Sequence, residues 1–175
     1  MRQTHGMNQS EDEPLRLCFV CLGNICRSPT AEGIMRSLIE NAGLSSSIEV
    51  HSAGTAGWHR GELPDDRARA EARRRGIELT SRASAFHPGD ASFYDLVLAM
   101  DGMNERDLRD RTEPALHDRI VLLRRFDPAL TQTDPWDGDV PDPWAGGEEG
   151  FIEVYDLIEA ACRGLLVHIQ ENQLL

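Results

Sequence analysis

A short bulky run, LRLCFV (15–20), breaks off at a glycine-bearing loop, CLGNIC, and the hydrophobic period then changes from that of a strand to that of a helix. Beyond the loop, Ala31, Ile34, Met35, Leu38, Ile39 and Ala42 recur at i, i+3, i+4, i+7, i+8 and i+11. The alternation repeats along the chain. IEVHSA (48–53) reads as a second strand, and a charged helix follows over Asp65–Arg75. YDLVLAM (94–100) reads as a third strand before a helix near Asn104–Arg111, and IVLLR (120–124) as a fourth. The last helix is expected from about Glu149 to His168, with Phe151, Val154, Tyr155, Ile158, Ala161, Cys162 and Leu165 on one face. Ser28 suits the cap of the first helix and Pro29 its first position, while Gly43 and Gly76 can end helices in the left-handed conformation. Strands alternating with helices imply an α/β fold, a four-stranded parallel doubly wound sheet with helices on both faces. Ligands in such folds bind at the carboxyl ends of the strands, near a switch in strand order. The cysteine-bearing loop leaves the first strand at that end.

A chain of 175 residues is enough for one buried core, so 15–175 is expected to form a single domain behind a disordered leader, 1–14. With 18 basic and 30 acidic residues the net charge is −12, which argues against nucleic acid and anionic membrane as partners. The leader is polar and acidic, without a secretory apolar region, and no apolar stretch is long enough to span a bilayer. A cytoplasmic protein is expected, with its oligomeric state left open. Four cysteines in an unsecreted chain do not suggest a disulfide framework, and no Cys or His spacing suggests zinc.

The chemistry concentrates between Cys21 and Arg27. The intervening Leu22-Gly23-Asn24-Ile25-Cys26 is long enough to curl into a nest whose backbone N–H groups point at an anion. Gly23 supplies a permissive backbone, and the helix beyond adds its positive end. Arg27 can close the ring with two parallel hydrogen bonds to phosphate oxygens. Cys21 then lies beneath the phosphorus, in a field that favours the thiolate, with the Ser28 hydroxyl placed to donate to it. In-line attack would form a phosphocysteine that water hydrolyses, the charge being met by the nest and Arg27 without a metal or other cofactor. Cys18, inside the strand, reads as core.

CLGNICRSP, with SAGT after the second strand and DPW before the last helix, resembles the low-molecular-weight protein tyrosine phosphatases, from about Leu15 to the last helix. The resemblance implies a metal-independent phosphomonoesterase acting on tyrosine-phosphorylated proteins. It makes Cys21 the nucleophile, Arg27 the phosphate clamp and Ser28 a thiolate stabiliser, with Asn24 holding the loop through Ser52. It also implies a redox role for Cys26, as the partner of an oxidised Cys21, beside which plain packing stands as an equal reading.

A general acid must protonate the leaving phenolate. TDPWDG offers Asp134 and VPDPWAG offers Asp142, and the local sequence does not separate them. The family pattern favours Asp142, because AGGEEGFIEVY follows it. Trp144 and Trp58 are suitable walls for an aryl slot, although Trp58 reads equally as a loop anchor, and Trp136 looks structural. Ala145 replaces a second aromatic found in many members. Ser81-Arg82-Ala83-Ser84 replaces His-x-Ala-Arg, which removes a histidine that supports the loop network in the family. His59 lies in a loop that can border the cleft. The basic district of Arg60, Arg67, Arg69, Arg73, Arg74, Arg75 and Arg82 reads as a solvated helix face, or as a docking surface for acidic segments. Two other functions remain: a thiol-dependent arsenate reductase using Cys21 and Cys26, weakened because Cys162 is the one downstream cysteine, and a phosphate-binding module without turnover.

Overall fold

Alternate residues of the first strand face opposite cores, which makes that strand the centre of the molecule. A computed structural model describes residues 13–175, so most of the expected leader, 1–12, lies outside the described residues. Strand β1 (Leu15–Cys21) sends Leu15, Leu17, Phe19 and Cys21 to one side and Cys18 and Val20 to the other. It pairs in parallel with β2 (Ile48–Gly54) on one edge and β3 (Leu96–Ala99) on the other, and β4 (Ile120–Leu122) extends beyond β3. The order β2-β1-β3-β4 turns around at β1, so the carboxyl end of β1 is the switch point.

On one face pack α1 (Arg27–Asn41), α2 (Asp66–Arg74) and α4 (Glu148–Glu171), through residues such as Ile34, Met35, Ala72, Tyr155, Ile158 and Leu165. On the other, α3 (Gly102–Asp110) contributes Leu108, beside Phe86, Ala91 and Ile120. No described helix is long and apolar enough to cross a membrane.

Element order follows the hydrophobic pattern, and the differences lie at the ends. Helix α1 starts at Arg27 with Cys26 at its cap position and no side-chain cap, because the Ser28 hydroxyl is committed elsewhere. Gly43 (φ +71°) closes it in the left-handed conformation. Strands β3 and β4 are shorter than their apolar runs. A 3-10 turn, Leu123–Phe126, takes over directly after β4 and buries Leu123 against the α4 side.

Candidate active site

The backbone of the loop after β1 makes its outward bonds through carbonyls. Cys21, Leu22 and Ile25 accept from the backbone N–H groups of Thr55, Ala56 and Asp65 at 2.9, 2.9 and 2.8 Å, and the Cys26 carbonyl accepts from Thr30 Oγ1 at 2.7 Å. Among the described residues no backbone N–H from Leu22 to Cys26 finds an acceptor. A loop tied outward by its carbonyls turns its donors inward, which is the arrangement an anion nest requires.

The left-handed residue of the loop is Asn24 (φ +55°), not Gly23. Asparagine tolerates that backbone because its short amide can bond locally, and here it is fully used. Asn24 Nδ2 donates to Ser28 Oγ at 2.8 Å and Ser52 Oγ at 3.0 Å, while its Oδ1 accepts the Ser84 N–H at 2.9 Å. Gly23 serves differently: a Cβ there would come within 3.1 Å of the His59 ring.

Ser28 Oγ lies 3.0 Å from Cys21 Sγ. That oxygen accepts from Asn24, so its single hydrogen has two acceptors in reach, the sulfur at 3.0 Å and the Ala53 carbonyl at 3.4 Å, and a thiolate is the stronger and nearer of the two. Ser52 in turn donates to Glu32 Oε2 at 2.5 Å, and Glu32, buried, is bridged by Arg36 at 2.7 Å. Ser81 makes no side-chain bond to the loop. The backbone of Ser84 and the carboxylate of Glu32 hold Asn24 and Ser52 instead.

Arg27 is buried and has two carboxylates for company. Its Nη1 donates to Asp101 Oδ2 at 2.6 Å and to the Val140 carbonyl at 3.0 Å, and its Nη2 reaches Asp142 Oδ2 at 3.4 Å. Burial works against its charge, but Cys21, Asp101 and Asp142 outweigh burial and hold the guanidinium pKa above its ordinary value. Asp101 escaped sequence reasoning. Its signal was an aspartate placed directly after β3, where it also caps α3 by accepting the Asn104 N–H at 2.7 Å.

Cys21, Arg27 and Asp142 line a cleft of about 200 Å³ together with Leu22, Gly23, Ile25, Cys26, Trp58, His59 and Trp144. Asn24, Ser28 and Ser52 stand behind it. Homology now joins geometry. The family model for low molecular weight phosphotyrosine protein phosphatase matches residues 16–174. The chain belongs to that family. A low molecular weight protein-tyrosine-phosphatase of Streptomyces coelicolor is 46% identical over 159 residues, covering 90% of this chain and 94% of the relative. The human low molecular weight phosphotyrosine protein phosphatase is 33% identical, covering 90% and 97%. A crystal structure of a protein tyrosine phosphatase from Entamoeba histolytica superposes with a TM-score of 0.84 at 36% identity, over 91% of this chain and 99% of that one. Membership makes this chain a cysteine-dependent phosphotyrosine phosphatase.

Geometry separates the two Asp-Pro-Trp segments of this phosphatase. Asp134 accepts both arms of Arg124 at 2.8 and 2.7 Å, and the N–H groups of Trp136 and Gly138 as well. Arg124 beside it, with those N–H groups, pulls its carboxyl down to about 2. It lies outside the cleft and fastens its own loop. Asp142 lines the cleft with its side chain 44% exposed. Trp136 donates to Glu153 on α4 at 3.1 Å, away from the site.

Burial pushes the Cys26 thiol up, with Asp65 adding to the effect. Cys18 and Cys162 are fully buried and their thiols are likewise pushed up by burial. The basic district is largely neutralised: Arg67 pairs with Asp65, Arg69 with Asp66, Arg73 with Glu78, and Arg74 and Arg75 with Glu71.

Proposed function

We propose that this phosphatase hydrolyses phosphotyrosine esters through Cys21, with Arg27 and the loop N–H groups holding the phosphate and Asp142 moving the proton. Cys21 Sγ attacks phosphorus in line while the bond to the phenolic oxygen breaks. Asp142 gives its proton to that oxygen as tyrosine leaves. Water then attacks the phosphocysteine, Asp142 takes a proton back from it, and inorganic phosphate leaves with the thiolate restored. Ser28 supports the thiolate by donating the hydrogen that it can otherwise give to the Ala53 carbonyl. Trp58 and Trp144 flank the ring, and Ser52 steadies Asn24 from behind.

The observation that carries this reading is the inverted loop: carbonyls tied outward and N–H groups without acceptors, around a thiol one hydrogen bond from Ser28. Its test is turnover of an aryl phosphate in EDTA by wild type and Cys21→Ser. Activity in wild type that disappears in the variant is expected. Retained activity in Cys21→Ser, or none in freshly reduced wild type, refutes it; binding without turnover would leave a phosphate-binding module.

The arsenate reductase reading needs a further thiol in reach, and Cys162 is buried against the Ala31 carbonyl at 3.9 Å on the packed face of α1. Cys26 fits protection of the nucleophile: Cys21 sulfenic acid would condense with the Cys26 thiol to a disulfide and water. A single domain over 15–175, a cytoplasmic location and tyrosine-phosphorylated protein substrates complete the reading, with no nucleic acid or membrane partner.

A further inference from the structure

The loop that carries Asp142 is pinned at its entrance, where the Val140 N–H bonds the Met100 carbonyl at 2.7 Å and Arg27 Nη1 holds the Val140 carbonyl, but its tip has few polar ties. Among the described residues, the hydrogen bonds that reach segment 141–146 from outside come from two side chains, Arg27 and Arg67. Within the segment, the Trp144 N–H bonds Asp142 Oδ1 at 3.1 Å and the Gly146 N–H bonds the Pro143 carbonyl at 3.1 Å. These bonds shape the turn, and the buried Pro143 packs it toward Gly150 at the start of α4.

Arg67 uses every guanidinium nitrogen, two of them on this turn. Nη1 donates to the Gly146 carbonyl at 2.9 Å and Nη2 to the Trp144 carbonyl at 3.0 Å. The other edge, Nε and Nη2, grips Asp65 Oδ1 and Oδ2 at 3.0 Å each, and the plane lies over the Phe151 ring, 4.5 Å from its centroid. Asp65 is itself anchored. Its carboxylate caps α2, and its backbone N–H donates to the Ile25 carbonyl of the phosphate loop at 2.8 Å. One continuous chain of bonds therefore runs from the phosphate loop, through Asp65 and Arg67, to the acid loop.

We propose that Arg67 is a positioning residue for the general acid, holding the Asp142 loop in register with the phosphate loop during turnover; this rests on Asp142 being the acid. Arg27 cannot do that work with substrate bound, because phosphate takes the edge of its guanidinium that Asp142 now touches. Among the described residues, Arg67 is then the one remaining side-chain hydrogen-bond donor to segment 141–146, while Arg27 Nη1 keeps the Val140 carbonyl at its entrance. A misplacement of about 1 Å in a reacting group can cost on the order of 100-fold, so a loosened loop loses most of what the acid supplies.

The test uses two substrates whose need for the acid differs. Phenyl phosphate releases a phenolate that needs a proton, whereas 2,4-dinitrophenyl phosphate releases an anion that is stable without one. The readout is the ratio of their kcat/KM values in wild type, Asp142→Asn, Arg67→Ala and Arg67→Lys, with inhibition by inorganic phosphate and thermal melting alongside. Asp142→Asn should raise the ratio in favour of the dinitrophenyl ester by about 100-fold or more. Both Arg67 variants should raise it by about tenfold or more while phosphate inhibition stays near wild type, because lysine keeps the charge but cannot span two carbonyls and a carboxylate. Should Arg67→Ala fail to fold, Asp65→Asn keeps the α2 cap, removes the charged anchor of Arg67 and should move the ratio in the same direction. Folded Arg67 variants that slow both esters equally, beside an Asp142→Asn that raises the ratio, overturn the inference. An unchanged ratio in Asp142→Asn overturns the acid assignment itself, and the inference with it.

Discussion

Removing the Asn24 side chain tests the claim that one left-handed asparagine organises the site. Asn24→Ala deletes three hydrogen bonds, a buried one to Ser28 and partly buried ones to Ser52 and Ser84. At about 1 kcal/mol net each they sum to about 3 kcal/mol. Alanine at φ +55° has no side-chain bond to offset the left-handed backbone, which adds about 1 kcal/mol. The variant should therefore lose about 4 kcal/mol, a large share of the 5–15 kcal/mol typical of a domain, and melt roughly 12 °C lower at about 3 °C per kcal/mol. Asn24→Gly loses the same bonds without the left-handed cost, and its greater unfolded freedom offsets part of that gain, so it should be more stable than Asn24→Ala by about 0.5–1 kcal/mol. In both variants Ser28 Oγ loses its donor and its hydrogen is no longer steered to Cys21, for an expected loss of about tenfold in kcat/KM, equivalent to about 1.4 kcal/mol. Urea unfolding and aryl phosphate kinetics read the two effects separately. A loss below about 1 kcal/mol in Asn24→Ala would show that the three bonds are replaced by water. A glycine variant less stable than the alanine one would refute the backbone argument.

Further expectations concern the decoy aspartate and one glycine. Folding lowers the Asp134 pKa from 3.8 to about 2, so the stabilisation its ion pair supplies is complete above pH 3.8 and is lost as pH falls through about 2. The acid limb of the melting curve should accordingly be flatter in Asp134→Asn, which should also melt lower at neutral pH and keep the wild-type response to leaving group; an unchanged acid limb would deny Asp134 its structural role. Gly164 lies in α4 where a Cβ would fall on the Phe126 carbonyl of the 3-10 turn after β4, a backbone group with no rotamer to yield. Gly164→Ala should cost about 1–3 kcal/mol in urea unfolding, and a neutral result would mean that α4 and the turn are not in contact in solution.

The fold was legible because its information is local. Phe19 and Val20 belong to a short apolar run and Ile34, Met35 and Leu38 to a helical stripe, and these periods survive any tertiary arrangement. Strand order was not legible, since nothing within β2 or β3 says on which side of β1 each pairs. The cleft floor was readable from Cys21 to Arg27 because a loop of fixed length forces those residues together. Contacts across the chain were hidden. Asp101 lies 74 residues from Arg27, and its one local clue, a cap position, is shared by ordinary helices. Arg67 was absorbed into an apparently solvated helix face, because arginine spacing does not record which carbonyls a guanidinium will meet. Ser28 was open to two roles, helix cap and thiolate donor, because its hydroxyl could serve either; α1 has no side-chain cap, and the hydroxyl lies 3.0 Å from the sulfur.

The unequal partners of Arg27 give the proposed mechanism its order. Asp101 holds the guanidinium at 2.6 Å with an 18% exposed side chain, while Asp142 touches it at 3.4 Å and is 44% exposed. A dianion entering the nest brings two negative charges to a site that already has two carboxylates around one arginine, so one contact must give way. The longer and wetter one is the weaker, since water screens it and the geometry of its hydrogen bond is poor. Asp101 then keeps the guanidinium in plane for bidentate binding, and Asp142 turns toward the ester oxygen. The neutral carboxyl is the form that donates in the first chemical step. Once phenol has left, the thiolate's charge has been spent in the S–P bond, and the Asp142 carboxylate left by proton transfer can face the cleft as base for water. On this account Asp101→Asn should weaken phosphate inhibition of the enzyme, because a neutral amide holds Arg27 less firmly in plane. It should leave the leaving-group dependence near wild type, because the acid loop still hangs from Arg67. Weakened phosphate inhibition together with a raised dinitrophenyl-to-phenyl ratio would instead place Asp101 on the proton's path and undo the division of labour.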